Sequence, residues 1–201
     1  DKILPILNGR TKHIEIVDAK EVITNDDVPT LAIRQKKDSS LTRAFDVLKE
    51  DESVVGLVSA GSTGAILSGA IMKIGRLKGI SRPALAPILP TKAGTDVMII
   101  DSGANVDCKS ENLLHFAIMG SAYYSIMEGV DAPKVGLLNN GTEEHKGNEL
   151  TKETYPLMEK LPINFVGNTE AREVMSGNVD VLVTDGFSGN VLLKGIEGSV
   201  Y

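Results

Sequence analysis

The chain has 201 residues and a formal net charge of −6, with 42% hydrophobic and 24% charged residues, 4% aromatics and no Trp. An acidic, aromatic-poor chain offers neither a basic footprint nor stacking platforms, which argues against nucleic acid as a partner. One cysteine, Cys108, excludes a disulfide framework and a thiolate metal cluster, and no run is long and apolar enough to cross a membrane. A cytoplasmic location is the expectation. The length suffices for one solid core or two small lobes. The sequence opens at Asp1 without Met and stops at Tyr201 inside a helical pattern, so a fragment is expected: 1–201 as a single α/β domain or the major part of one.

His13 to Val17 alternates polar and apolar residues and reads as a strand. Asp26 to Pro29 is a turn, with Pro29 suited to a first helical position and a helical piece over Thr30 to Lys37. Its Arg34, Lys36 and Lys37 form a basic cluster, either a solvated face or a contact for an acidic partner or phosphate. Ser39 or Ser40 caps a helix to Glu50 that places Leu41, Ala44, Phe45 and Leu48 on one face.

Val54 to Val58 is a short apolar run expected to be a buried parallel strand. Gly61-Ser62-Thr63-Gly64 follows, and then a helix that turns Ile66, Leu67, Ala70, Ile71, Ile74 and Leu77 inward. A glycine turn entering a helix N-terminus can cradle a phosphate with backbone N–H groups; it is equally an ordinary strand-to-helix turn. It lacks the Lys of a Walker A loop and the GxGxxG spacing.

Arg82 to Pro90 contains three prolines, which suit an extended edge or crossing strand. Thr91 to Asp96 is a turn. Val97 to Ile100 is a second buried strand, ending in Asp101, Asn105 and Asp107. These can bind a metal with help, orient a substrate amide, or cap the next helix. Ser110 is expected to cap that helix, with Leu113, Leu114, Ala117, Ile118 and Ser121 packed. Val135 to Leu138 is a third strand, ending in Asn139, Asn140, Thr142, Glu143 and Lys146, a mixed set of donors and acceptors. Thr151 caps a short helix. Ile163 to Val166 is a fourth strand with Gly167 to Glu170 as its loop. Val179 to Val183 is a fifth, ending in Asp185-Gly186-Phe187-Ser188-Gly189-Asn190, before a helix from Gly189 to Val200. Asp185 is placed either to hold or deprotonate an acidic hydroxyl or to cap that helix. His13, His115 and His145 have no zinc spacing, and no metal is expected.

Strand, polar glycine loop and helix repeat along the chain. That order predicts an α/β fold, a three-layer α/β/α arrangement with a mainly parallel sheet, and ligands outside the carboxyl ends of its strands.

Several loops together resemble one family. They are Ser59 to Ala65, Arg82 to Leu85, Asp101 to Asp107, Gly136 to Glu143 with Lys146 to Glu149, Asn164 to Asn168 with Glu170 to Arg172, and Thr184 to Asn190. They are similar to motifs of the bacterial phosphate acyltransferase of phospholipid synthesis, the acyl-carrier-protein:phosphate acyltransferase. The resemblance runs from about Val54 to the end and more weakly before it. It implies transfer of a long-chain fatty acyl group from acyl carrier protein to inorganic phosphate, without a cofactor. It also implies a homodimer at the inner membrane face whose product feeds a membrane glycerol-3-phosphate acyltransferase. The implied fold is similar to phosphate acetyltransferases and isocitrate/isopropylmalate dehydrogenases. The family's opening motif and C-terminal helices are not found, so the N-terminal strand and C-terminal helices are expected to be lacking. Ser62 stands where many members have Asn.

For that chemistry, loop position assigns Gly61, Ser62, Thr63 and Gly64 to the phosphate. Asp185 or Asn105 accepts its proton, Asn190 or Asn168 serves the thioester oxyanion, and Asn139 and Gly189 complete the substrate site. Two other readings stay open: a coenzyme A-dependent phosphate acyltransferase, and a non-catalytic phosphate- or nucleotide-binding module.

Overall fold

A computed structural model describes residues 3–9 and 12–199, with the side chains of Ile3 and Leu4 outside that description. The chain divides into two compact units, Asp1–Gly75 and Arg76–Tyr201.

The first unit carries helices α1 (Ile3–Leu7), α2 (Pro29–Gln35), α3 (Ser40–Glu50) and α4 (Thr63–Gly69), the last continued by a π-helical turn, Ala70–Ile74. Pro29 opens α2 as expected. Ser39 caps α3, its Oγ accepting from the Thr42 N–H at 3.3 Å. Leu41 and Phe45 meet Ile33 and Ala65 in a small core. Lys36 of the basic cluster pairs with Asp27 at 2.6 Å, a surface tie rather than a ligand contact.

Two expected strands do not form in this unit. His13 to Val17 is exposed, non-repetitive chain, and His13 has φ 68°. Val54 to Val58 is also unpaired, with Val55 and Val58 fully open to solvent. A strand exists by its ladder of hydrogen bonds. Among the described residues of this unit there is only one isolated bridge, Glu21 to Ser39, and no strand to offer a ladder. The inward face expected after the glycine turn also changes. Ile71 and Ile74 lie within the π turn, where the side-chain spacing departs from that of an α-helix, and both are exposed, as is Leu77 farther along.

The second unit is a five-stranded sheet between helices. Its strands are β1 (Ile88–Pro90), β2 (Asp96–Ile100), β3 (Lys134–Asn139), β4 (Asn164–Glu170) and β5 (Val181–Val183), in the order β1-β2-β5-β3-β4. Every pairing is parallel except β1 with β2, where the proline-rich segment forms the antiparallel edge its missing N–H groups allow. Successive side chains point to opposite faces of the sheet. Met98, Ile100, Val181 and Val183 therefore meet α5 (Ser110–Glu128) and α6 (Glu149–Met158), through Leu113, Phe116, Tyr124 and Met158. Val97, Ile99 and Leu182 meet the opposite layer, α7 (Gly186–Ser199) and the 3-10 turn Ala171–Ser176, through Val174, Leu192 and Ile196. This is the three-layer α/β/α arrangement read from the sequence.

Some boundaries move. Lys109, not Ser110, is the N-cap of α5, and its backbone N–H donates to Asn112 Oδ1 at 2.9 Å. Ile118 is exposed, while Phe116, Gly120 and Tyr124 carry the buried stripe. Asn148, not Thr151, caps α6, because an Asn oxygen reaches the Thr151 N–H three residues on, at 2.9 Å. Gly167 to Glu170 is strand rather than loop, since β3 continues to pair with it. The expected end of α7 at Val200 lies outside the described residues.

Candidate functional site

Strand β5 lies at the centre, between β2 and β3. The helices after β2 and β3 pack on one face and the helix after β5 on the other. The chain therefore parts on either side of the carboxyl end of β5, which is where such sheets open a crevice. A cavity of about 450 Å3 sits there, lined by Asn139, Asn140, Asn148, Thr184, Asp185 and Ser188 on its polar side and floored by leucines including Leu137. A second cavity of about 440 Å3 shares Asn148, Asp185 and Ser188 with it and adds Val106, Cys108, Leu150 and Phe187. Asp185 thus lines both chambers.

Asp185 is the N-cap of α7. Its Oδ1 accepts from the N–H groups of Phe187 at 3.0 Å and Ser188 at 2.9 Å. Its Oδ2 takes no hydrogen bond among the described residues. Asn148 caps α6 at the same chamber, so the N-termini of two helices converge on one space, and both bring partial positive charge to it.

Of the other expected site residues, Asn105 donates through Nδ2 to Pro83 O at 2.8 Å and to Asp101 Oδ2 at 2.9 Å, so its amide nitrogen holds the loop. Asn190 Nδ2 donates to Ser102 O at 3.2 Å. Gly189 is buried, and a Cβ there would overlap the Asp101 carbonyl oxygen. Gly186 is as tight, with a built Cβ 2.6 Å from Asn105 O. These two glycines let α7 press onto the loop after β2. Asn139 lines the first cavity, its Nδ2 donating to Lys146 O at 3.1 Å. Asn168 is 7% exposed and donates to Glu143 O at 2.9 Å, tethering the loop that walls the cavity. Its Oδ1 is buried without a partner among the described residues. Asp101, at 0% exposed, is consumed by backbone donors and is not open to a metal. Burial pushes the Cys108 thiol up, and the carboxylates of Asp101 and Asp185 add to the effect. A thiol so placed is a poor nucleophile.

In the first unit, the start of α4 falls at Thr63, as the turn chemistry implied. The Gly61 N–H donates to Ser59 Oγ at 3.1 Å, and Ser62 makes no side-chain cap. A Cβ at Gly64 would come within 2.9 Å of Pro29 Cγ, so that glycine serves the packing of α4 on α2.

Sequence reasoning did not single out Asn148, Thr184 and Ser188. All three stood inside quoted motifs, and the Asn148-to-Thr151 spacing was a legible capping signal.

A family profile described as "Fatty acid synthesis protein" matches residues 1–201. A phosphate acyltransferase from an Exiguobacterium species is 54% identical over 187 residues, 93% of this chain and 56% of that protein. One from Clostridium acetobutylicum is 54% identical over 201 residues, 98% of this chain and 60% of that protein. The chain thus spans a little over half the length of these relatives. Among solved structures, the EutD phosphotransacetylase from Staphylococcus aureus superposes with a TM-score of 0.68 at 19% identity, over 98% of this chain and 70% of that one. A branched-chain phosphotransacylase from Enterococcus faecalis gives 0.57 at 14%, over 97% of this chain and 79% of that one. At such identities the likeness is one of fold. With its profile matched from end to end and relatives more than half identical over nearly all its length, the chain belongs to the fatty acid synthesis protein family.

Proposed function

We propose that the protein containing this chain transfers a long-chain acyl group from the thioester of an acyl carrier protein to inorganic phosphate, releasing acyl phosphate for phospholipid synthesis. The observation that carries the reading is the convergence of the α6 and α7 N-termini, capped by Asn148 and Asp185, on a cavity at the centre of the sheet. Backbone amides at two helix ends suit an anion that no lysine or arginine among the named lining residues would hold. The neighbouring chamber offers Leu150, Phe187 and Val106 to an acyl chain, beside Asn148, Asp185 and Ser188 for the thioester's polar atoms.

In the reaction, a phosphate oxygen attacks the thioester carbonyl carbon. A C–O bond forms, the carbonyl π pair moves to oxygen, and its return expels the carrier thiolate as the C–S bond breaks. Hydrogen phosphate gives up its proton and the thiolate gains one, so no net proton is released. Asp185 Oδ2 is assigned that transfer. Asn139 orients the phosphate, Asn168 and Asn190 are assigned to the developing oxyanion, and Asn105 and Gly189 support the loop. No acyl-enzyme is needed, because phosphate is itself the nucleophile.

The relatives' names support phosphate as acceptor, while the carrier as donor follows from the resemblance. Supplying palmitoyl carrier protein, palmitoyl-coenzyme A and phosphate to the full-length protein separates the readings. Acyl phosphate formed in preference from the carrier donor is expected. Preference for coenzyme A would replace the donor, and thioester left intact beside bound phosphate would leave a binding module.

We further propose a homodimer acting in the cytoplasm at the inner membrane face, coupled to a membrane glycerol-3-phosphate acyltransferase. No helix among the described residues is long and apolar enough to cross a membrane. Sedimentation at micromolar concentration should show the dimer, and a clean monomer overturns it.

Gly61, Ser62, Thr63 and Gly64 stay proposed as phosphate contacts, and Gly64 offers a test. Its Cβ conflict with Pro29 means Gly64→Val overpacks the first unit, at a cost of about 1–3 kcal/mol. A lower melting temperature together with a raised phosphate KM is expected. A lower melting temperature with an unchanged KM would leave the glycine to packing alone.

A further inference from the structure

No Asp or Glu occurs between Glu52 and Asp96, although the whole chain carries −6. The part of this acid-free run that opens the second unit holds Arg76, Lys78 and Arg82, all exposed. It lies against the start of α5. Arg82 Nη1 donates to Asp107 O at 2.7 Å, and Ser81 Oγ lies 3.3 Å from His115 Nδ1. Arg76 Nη1 donates to Ser81 O, one residue from Arg82. Asp107 and Cys108 line the second cavity, and Lys109, exposed, follows them as the N-cap of α5. None of Arg76, Lys78, Arg82 and Lys109 is ion-paired among the described residues. Asp107, Glu111 and Glu153, whose Oε1 accepts from Ser110 Oγ at 3.0 Å, are the exposed acids at this place, so the four cations still outnumber them.

A cation at that place works against the fold. The N-terminus of a 19-residue helix carries partial positive charge, and stability alone would favour an acid at Lys109. Large apolar side chains accompany the cations: Leu77 is 82% exposed and Val106 58%. Cations with exposed apolar neighbours at the mouth of a cavity fit a macromolecular surface better than a free ion.

We propose that Arg76, Arg82 and Lys109, with Leu77 and Val106, form the docking surface for an acidic protein that delivers the acyl thioester to the cavity beside Cys108 and Asp185. The proposal rests on acyl transfer from a carrier protein. The cations steer and orient the carrier, and the second cavity receives what it carries.

The test is titration calorimetry of the full-length protein with acyl carrier protein at two salt concentrations. Arg76→Glu and Lys109→Glu are each expected to weaken binding by about 10-fold or more at low salt, and wild-type binding to weaken as salt rises. Lys109→Glu replaces a cation by an acid at a helix N-terminus, so the fold is not put at risk. Lys160→Glu makes the same charge change at the exposed end of α6 and should leave the affinity within about twofold. Salt-independent wild-type binding, or an equal loss in Lys160→Glu, overturns the surface. So do variants that bind the carrier normally but lose vesicles of about 30% phosphatidylglycerol in phosphatidylcholine, which would assign the patch to a lipid surface. Binding lost in the variants, from a wild-type protein that forms no acyl phosphate, supports the surface and overturns the chemistry instead.

Discussion

Asp185→Asn is expected to lower kcat by about 10²–10⁴-fold while leaving the melting temperature nearly unchanged. The two effects separate because the two carboxylate oxygens have different partners. Oδ1 caps α7 through the Phe187 and Ser188 N–H groups, and the Asn side-chain oxygen can keep both bonds, since Asn and Asp cap about equally well. Oδ2 has no such partner among the described residues and belongs to a residue that lines both cavities, and the substitution replaces this proton acceptor by an NH2 group. Turnover with carrier-borne donor and a thermal melt on the same preparation decide the matter. Near-wild-type turnover would leave Asp185 as a cap alone. A rate loss matched by a lower melting temperature would attribute the rate to the fold.

The sheet of the second unit was legible because its strands are short apolar runs buried on both faces, ending at glycine, Asn and Asp. Val97–Ile100, Val135–Leu138 and the run ending at Val183 all read correctly. The same pattern misled at Val54 to Val58, since four apolar side chains and a glycine carry no information about whether a partner strand lies beside them. The face of α5 was misread at Ile118 for a different reason. Leu113, Leu114, Phe116, Ala117, Ile118 and Met119 make the helix apolar nearly all round, and a period then selects no face. Gly120, against Val181 and Ile100, marks where the helix rests on the sheet.

The candidate site was legible as a place more than as a set of roles. Polar loops do gather at the carboxyl ends of the strands. Which polar groups turn inward to hold those loops cannot be read from composition, because Asn, Asp and Ser form caps and turns with the same atoms they would present to a ligand. Asn105, Asn190 and Asn168 all donate to backbone carbonyls of neighbouring loops. Gly186 and Gly189 of the Asp185 loop meet the chain at Asn105 and Asp101, a close approach that composition does not announce.

Asp101→Asn should give the opposite signature to Asp185→Asn: a large loss of stability at a residue that lines neither cavity. The Asp101 side chain is fully buried. Its Oδ1 accepts from the N–H groups of Leu85 at 2.8 Å, Gly103 at 3.3 Å and Ala104 at 3.1 Å. Its Oδ2 accepts from the N–H of Asn105 at 2.7 Å and from Asn105 Nδ2 at 2.9 Å. Every partner is a donor. An Asn side chain would turn an NH2 group toward donors on one side or the other, and those would be left buried without an acceptor. Hydrogen bonds to a charged group contribute about 1.5–3 kcal/mol each, and a stranded donor costs about 1–3 kcal/mol. The expected loss is therefore at least about 3 kcal/mol, or some 6–12 °C for a domain of this size. The loop it holds carries Asn105, whose carbonyl accepts from the Gly186 N–H at 2.8 Å and so positions the start of α7. Activity should fall with the fold and recover in part as the temperature is lowered. A melting temperature within about 2 °C of wild type, together with a kcat reduced at every temperature, would overturn the structural role and make Asp101 the proton acceptor in place of Asp185.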